Sequence, residues 1–207
     1  MTDAVERLTP LGLMVLALLD EDDMHAYEML RLMRARNHGR IVALTQGTLY
    51  HTVARLERHG MIVDLGVDRA GNRPERTTYR LTDAGAAALR EWVRRELPRA
   101  DRPDRFAVAL AEAHNLPRDD VIALLGERRH AVARRLAEHI ERREQVLAAG
   151  VLPQFLLQAE REDALAAADL DWLDAAIDRI RRPDLVWGVA DIPPTDRYLA
   201  QREAARS

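Results

Sequence analysis

Apolar positions along this chain recur with two different periods, and the change falls at Gly60. Before it, Leu49, Val53 and Leu56 stand at steps of four and three, which puts them on one face of a helix. Thr45 offers a hydroxyl to the free amides of a first turn. Gly60 suits the left-handed residue that closes a helix. The spacing therefore predicts a capped helix of about 20 Å between Thr45 and Gly60. Its opposite side carries Gly47, Thr48, His51, Arg55 and Arg58. After Gly60 the period becomes two. Met61 to Leu65 reads as a strand, and Arg76 to Leu81 as another with Thr77, Tyr79 and Leu81 on one face. Residues 66–75 between them are rich in turn formers and hold Arg69 and Arg73.

A helix followed by a basic-tipped hairpin is the winged helix-turn-helix arrangement. The preceding residues supply its other helices. Thr9-Pro10 opens a helix that is apolar almost all round from Leu11 to Leu19, hence central. Asp23 is the expected cap of a second helix, roughly Met24 to Arg36, buried through Tyr27, Leu30 and Met33. Ile41 to Ala43 is the expected site of a short strand. Thr82 starts a further helix through Leu97, with Leu89, Trp92 and Val93 inward. Residues 98–104 hold two prolines and mixed charges, and read as a linker. Beyond them the pattern is helical: Phe106 to Ala113, Arg118 to Ala149 and Phe155 to Arg182. The expected fold class is mainly α: a winged helix-turn-helix with a two-stranded wing, followed by an all-α dimerisation domain. The expected organisation is 1–97, a linker 98–104, a helical region 105–182 and a tail 183–207. A final short amphipathic stretch of that tail is expected to be ordered only where something covers it.

Composition narrows the classes. Among 207 residues there is no cysteine, so disulfides and thiolate metal sites are excluded. No apolar run nears the roughly 20 residues that span a bilayer. The acidic start, Met1 to Glu6, is unlike a secretory leader, so a cytoplasmic location is expected. Every cationic side chain other than histidine is arginine. The net charge is −3, yet residues 31–80 carry ten arginines against four acids, a local +6. A basic face on an acidic chain attracts phosphates while limiting unspecific adhesion.

Candidate chemistry follows from this distribution. Arg55, His51, Gln46 and Thr48 are the candidates for base edges: Gln46 has the donor–acceptor pair that fits adenine, and Arg55 the fork that fits guanine. Tyr50 lies beside the core face and either packs inward or reaches a phosphate. Arg69, Arg73 and Arg76 in the wing are expected at the backbone or minor groove. Val121, Leu125, Val132, Leu136 and Ile140, with Leu170, Leu173 and Ile177, form heptad-like stripes suited to a coiled-coil partner. His130 and His139, nine apart near Glu127 and Glu138, lack the three- or four-residue step of helical ligands, so no metal and no cofactor is expected. No nucleophile elbow or phosphate loop points to an enzyme.

Five segments in register resemble the PadR family of bacterial transcription regulators: Leu8 to Leu13, Met24 to Glu28, Gly47 to Tyr50 with Leu56-Glu57, Gly71 to Pro74, and Tyr79 to Gly85. The C-terminal half is similar to the family's longer members, whose helical tail ends in a pair like Trp172-Leu173. The resemblance implies a homodimer, mostly of repressor type, on a double-stranded operator. It also implies phosphate contacts near His25 and Tyr27, where the second helix begins. Some relatives hold an aromatic or phenolic effector between winged domain and dimer helices, which makes Trp92 and Trp172 candidate ligand residues. Two positions depart from the family's pattern: Ala26 stands where glycine is usual, and His51 where proline is frequent. The competing reading is a winged-helix adaptor that docks proteins and has no salt-dependent affinity for DNA.

Overall fold

The structure is a computed structural model; it describes residue 5 and residues 8–68, 76–188 and 195–206. Helix α1 (Pro10–Glu21) begins as the sequence dictates, with Gly12 N donating to Thr9 Oγ1 at 3.1 Å and proline in the first turn. Leu11 to Leu19 are all buried, so α1 is the central rod of the N-terminal half. Around it stand β1 (Met24–His25), α2 (Ala26–Ala35), α3 (Gln46–Arg58), the hairpin β2 (Ile62–Asp68) and β3 (Arg76–Leu81), and α4 (Asp83–Glu96).

The three strands form one antiparallel sheet in the order β1-β3-β2, with Met24 opposite Tyr79 and Ile62 opposite Leu81. This corrects three expectations. The third strand is Met24–His25 and not Ile41 to Ala43, which lies in a turn. Helix α2 consequently starts at Ala26, with His25 as its N-cap residue and the Glu28 carboxylate accepting from His25 N at 2.8 Å. Asp23 caps nothing; its carboxylate holds Arg80 of β3 at 2.9 Å. The first wing strand also runs on to Asp68, past an irregularity between Asp64 and Val67 where Gly66 has φ +101°.

Two glycines are demanded by geometry. Gly60, at φ +67°, turns the chain from α3 into β2 without a Cβ clash. A Cβ on Gly85 would lie 2.1 Å from the carbonyl oxygen of Met61, so only glycine lets α4 approach the start of the wing. Thr82 completes that corner: its hydroxyl donates to Gly60 O at 2.7 Å and accepts from Gly85 N at 3.1 Å.

The C-terminal half opens with α5 (Pro103–Ala111), whose first two residues fall inside the stretch expected as linker. The two long helices α6 (Arg118–Ala148) and α7 (Leu157–Arg181) double back on each other. Their antiparallel register is marked by Arg129 with Asp174 and by Arg128 with Asp169, the latter at 3.1 Å. Trp187 donates to Leu116 O at 2.8 Å, returning the chain to the start of α6. Helix α8 (Asp196–Arg206) then lies against α2. Among the described residues no helix is long and apolar enough to cross a membrane.

Candidate nucleic-acid interface

Helix α3 is set by its own sequence. Thr45 Oγ1 accepts from Thr48 N at 3.1 Å, and Thr48 Oγ1 accepts from Thr45 N at 3.0 Å, so both first-turn hydroxyls close the helix start. Leu49, Val53 and Leu56 are buried, as their spacing requires, and Thr52 is buried with them, donating to Thr48 O at 2.8 Å. The helix thereby presents Gln46, Gly47, Tyr50, His51, Ala54 and Arg58 to solvent, with Tyr50 46% exposed.

Two of the base-edge candidates are occupied by the fold itself. The Thr48 hydroxyl also donates to Thr45 O at 3.0 Å, which uses its only hydrogen. Arg55 turns off the exposed face and donates through Nη2 to Thr9 Oγ1 at 2.9 Å. Arg58, three residues further on, is exposed and faces the same way as His51, although only its place on the helix face marked it in the sequence. Gln46 and His51 remain exposed as expected.

The wing stands beside this face. Arg69 and Arg73 lie outside the described residues, and Arg76 opens β3 opposite Asp68. Arg80 points away from the core but is held by Asp23, whose hydrogen bonds raise its pKa further above the ordinary arginine value. Burial, aided by Glu57 and Asp64, raises the Tyr79 hydroxyl above its usual value, so it stays protonated at the root of the wing.

His25 and Tyr27 are both engaged. His25 Nδ1 lies 3.0 Å from Thr77 O, joining α2 to β3, and its ring stacks on Tyr27 with centroids 5.4 Å apart. The Tyr27 hydroxyl donates to Arg206 O at 3.2 Å, in the last helix of the chain.

The tryptophans do not meet. Trp92 is buried, with its indole donating to Leu8 O at 3.1 Å. It floors a cavity of about 390 Å³ lined also by Glu96, Arg95, Arg99, Arg102 and Arg105. Trp172 is 40% exposed elsewhere, edge-on to Phe106 at 6.4 Å. Of the stripe residues, Val121, Leu125, Val132, Leu173 and Ile177 are buried within this one chain, whereas Leu136, Ile140 and Leu170 are only half-buried. His130 is turned back onto Gly126 O at 2.7 Å, and among the described residues no three histidines or acids gather as metal ligands.

A capped helix with a polar outer face, set against a hairpin and seated on a central apolar helix, is the arrangement of a winged helix-turn-helix. Residues 15–91 match the model of the "Transcriptional regulator PadR-like family". No curated protein matches the chain in sequence. Among solved structures it is similar to Bacillus subtilis PadR in complex with operator DNA, at 19% identity over 82% of this chain and 98% of that one, TM-score 0.40. It is also similar to smu.1604c from Streptococcus mutans UA159, at 19% identity over 81% and 98%, TM-score 0.38. A third is the PadR-like regulator BC1756 from Bacillus cereus, at 14% identity over 82% and 97%, TM-score 0.35.

Proposed function

We propose that this protein is a homodimeric, cytoplasmic repressor that reads a near-palindromic operator with α3 and grips the backbone with its wing. The observation that carries the reading is the outer face of α3, where Gln46, Tyr50, His51 and Arg58 are exposed together above a buried apolar face. A helix of this width fits a major groove about 12 Å wide. Gln46 and His51 are assigned to base edges, Tyr50 and Arg58 to phosphates, and Arg69, Arg73 and Arg76 to the backbone or minor groove. Arg55 and Thr48 are given supporting roles in place of base contacts.

The paired winged domains are carried on residues 105–182, joined through a linker at 98–104. The tip of the α6–α7 hairpin supports this: Leu152, Phe155 and Leu157 are exposed there, Phe155 to 72%, and Leu165 is exposed two turns further along α7, although all are apolar. Two recognition helices then sit about 34 Å apart, one turn of DNA. A small aromatic or phenolic effector releases the protein by favouring one spacing of the winged domains over the other. The half-exposed Trp172 beside Phe106, and the cavity over Trp92, are its two candidate seats.

Selection from a randomised duplex library, followed by affinity measurement over a salt series and sedimentation of the free protein, tests this reading. A palindromic consensus bound by a dimer with salt-dependent affinity supports it. A monomer without preference for any duplex at low ionic strength overturns it and leaves a protein-docking role. Tryptophan fluorescence with a panel of phenolic acids tests the effector: quenching together with release of DNA is expected, and the absence of both removes the effector from the proposal.

A further inference from the structure

Helix α8 occupies the outer side of α2, and its contacts divide into an anchor and a cover. The anchor is Arg202. It is only 5% exposed, donates to Asp22 Oδ2 at 2.5 Å and lies 3.4 Å from the Met24 sulfur. Arg206 shares the same carboxylate at 3.0 Å, Ala205 is buried beside it, and the Arg36 guanidinium lies over the Tyr198 ring at 5.6 Å. The cover is made by backbone carbonyls of the last turn. Arg206 O accepts from the Tyr27 hydroxyl at 3.2 Å, and Ala204 O accepts from Arg31 Nη1 at 3.5 Å.

These two acceptors have a particular character. The carbonyls of a last helical turn lack partners within their own helix and carry the negative end of its dipole. They present to Tyr27 and Arg31 what a phosphate presents: partly negative oxygen lone pairs. Both bonds are long and solvent-exposed, so a fully charged phosphate oxygen replaces them with a stronger, charge-assisted bond. Tyr27 and Arg31 stand one turn apart on the helix before α3, and the start of that helix is tied to the wing through His25 and Thr77.

We propose that α8 is an autoinhibitory arm: its last-turn carbonyls stand in for DNA phosphates on Tyr27 and Arg31, and duplex binding displaces it. The inference rests on the reading that the partner is DNA. The arm lowers the apparent affinity by the fraction of molecules in which it is docked. It also makes α8 a control point that is separate from any effector seat, because whatever captures α8 raises occupancy of the operator.

The test uses the full chain and two variants on α8 itself, which leave the winged domain intact. Arg202→Ala removes the anchor, and Ala205→Asp places a carboxylate at a position of α8 that is buried in the docked arm. The probe is a mixed-sequence duplex of about 25 base pairs, long enough for two half-sites. Both variants are expected to bind roughly tenfold more tightly than the parent, as for an arm docked about nine-tenths of the time. The salt dependence of log affinity should steepen by about one, for the phosphate that Arg31 gains. Hydrogen exchange at residues 196–206 should accelerate in the variants, and in the parent on adding duplex. Unchanged or weaker binding by variants whose α8 has been freed overturns the arm, as does an α8 that stays protected in the DNA-bound parent. Failure of every form to bind any duplex overturns the arm together with the DNA reading, whereas equal binding by all forms overturns the arm alone.

Discussion

Arg55 Nη2 and Thr9 Oγ1 are 2.9 Å apart, and this one hydrogen bond joins α3 to the cap of the central helix. The same hydroxyl accepts from Gly12 N at 3.1 Å, so Thr9 serves both helices at once. Arg55 thus ties the flank of α3 to the start of α1. Arg55→Ala is expected to cost about 1 kcal/mol of stability, the scale of one hydrogen bond. It should weaken binding to all duplexes in similar proportion, without relaxing preference at a single base pair. Denaturant titration and a binding-site selection on the variant check this; a shifted consensus would return Arg55 to the base-reading set.

His51 is the position where sequence and structure agree on exposure in the middle of α3. It stands three positions past the capping hydroxyls of α3, which end at Thr48. His51→Ala should leave thermal stability within about 0.5 kcal/mol. It should cost roughly 1–3 kcal/mol of discrimination at one base pair of each half-site. Competition between the selected operator and its single-base variants measures this, and an unchanged preference would move base reading to Gln46 and the wing.

Much of this interface was legible because its determinants are local. Thr9 and Thr45 cap helices through residues three positions away, and Leu49, Val53 and Leu56 declare a buried face by spacing alone. What escaped is long-range. Met24–His25 is a strand only because Thr78 and Tyr79 lie alongside, and two residues carry no period of their own. Arg55 has a recognition residue's place on the flank of α3, but its partner lies 46 positions earlier. Heptad spacing on α6 suits a helical partner, but spacing does not distinguish another chain from α7. Val121, Leu125 and Val132 are already covered within the molecule. The cover provided by α8 depends on Asp22 and Arg202, 180 residues apart.

Gly85 gives a purely steric prediction. An added Cβ meets the Met61 carbonyl oxygen at 2.1 Å, and the neighbour is backbone that cannot rotate away. Thr82 N also donates to that oxygen at 3.1 Å, so a shift would disturb the corner holding the wing. Gly85→Ala is expected to destabilise the protein by about 1–3 kcal/mol, the usual cost of overpacking, in spite of alanine's better helix propensity. A thermal melt decides it; a stabilised variant would mean that α4 stands further from the wing.

Glu112 supplies a pH dependence. It is buried just past the end of α5, and burial, reinforced by the nearby charge of Glu21, pushes its carboxyl up to about 7 against the partial compensation of an Asn115 hydrogen bond. Its unfolded value is near 4.5, so between these two pH values the folded protein holds a proton that the unfolded chain has released. Stability from this group therefore falls as pH rises through about 4.5 to 7, and above that window the loss is complete. The full fall is on the order of 1–3 kcal/mol. Glu112→Gln keeps the shape and the amide contact but removes the titration. The variant should match the parent near pH 5 and exceed it at pH 8, by a margin that closes as pH is lowered. Denaturant melts at both pH values measure the difference, and a parent whose stability is flat or rising across the window, with no gain in the glutamine variant, would show that Glu112 is ionised within the fold.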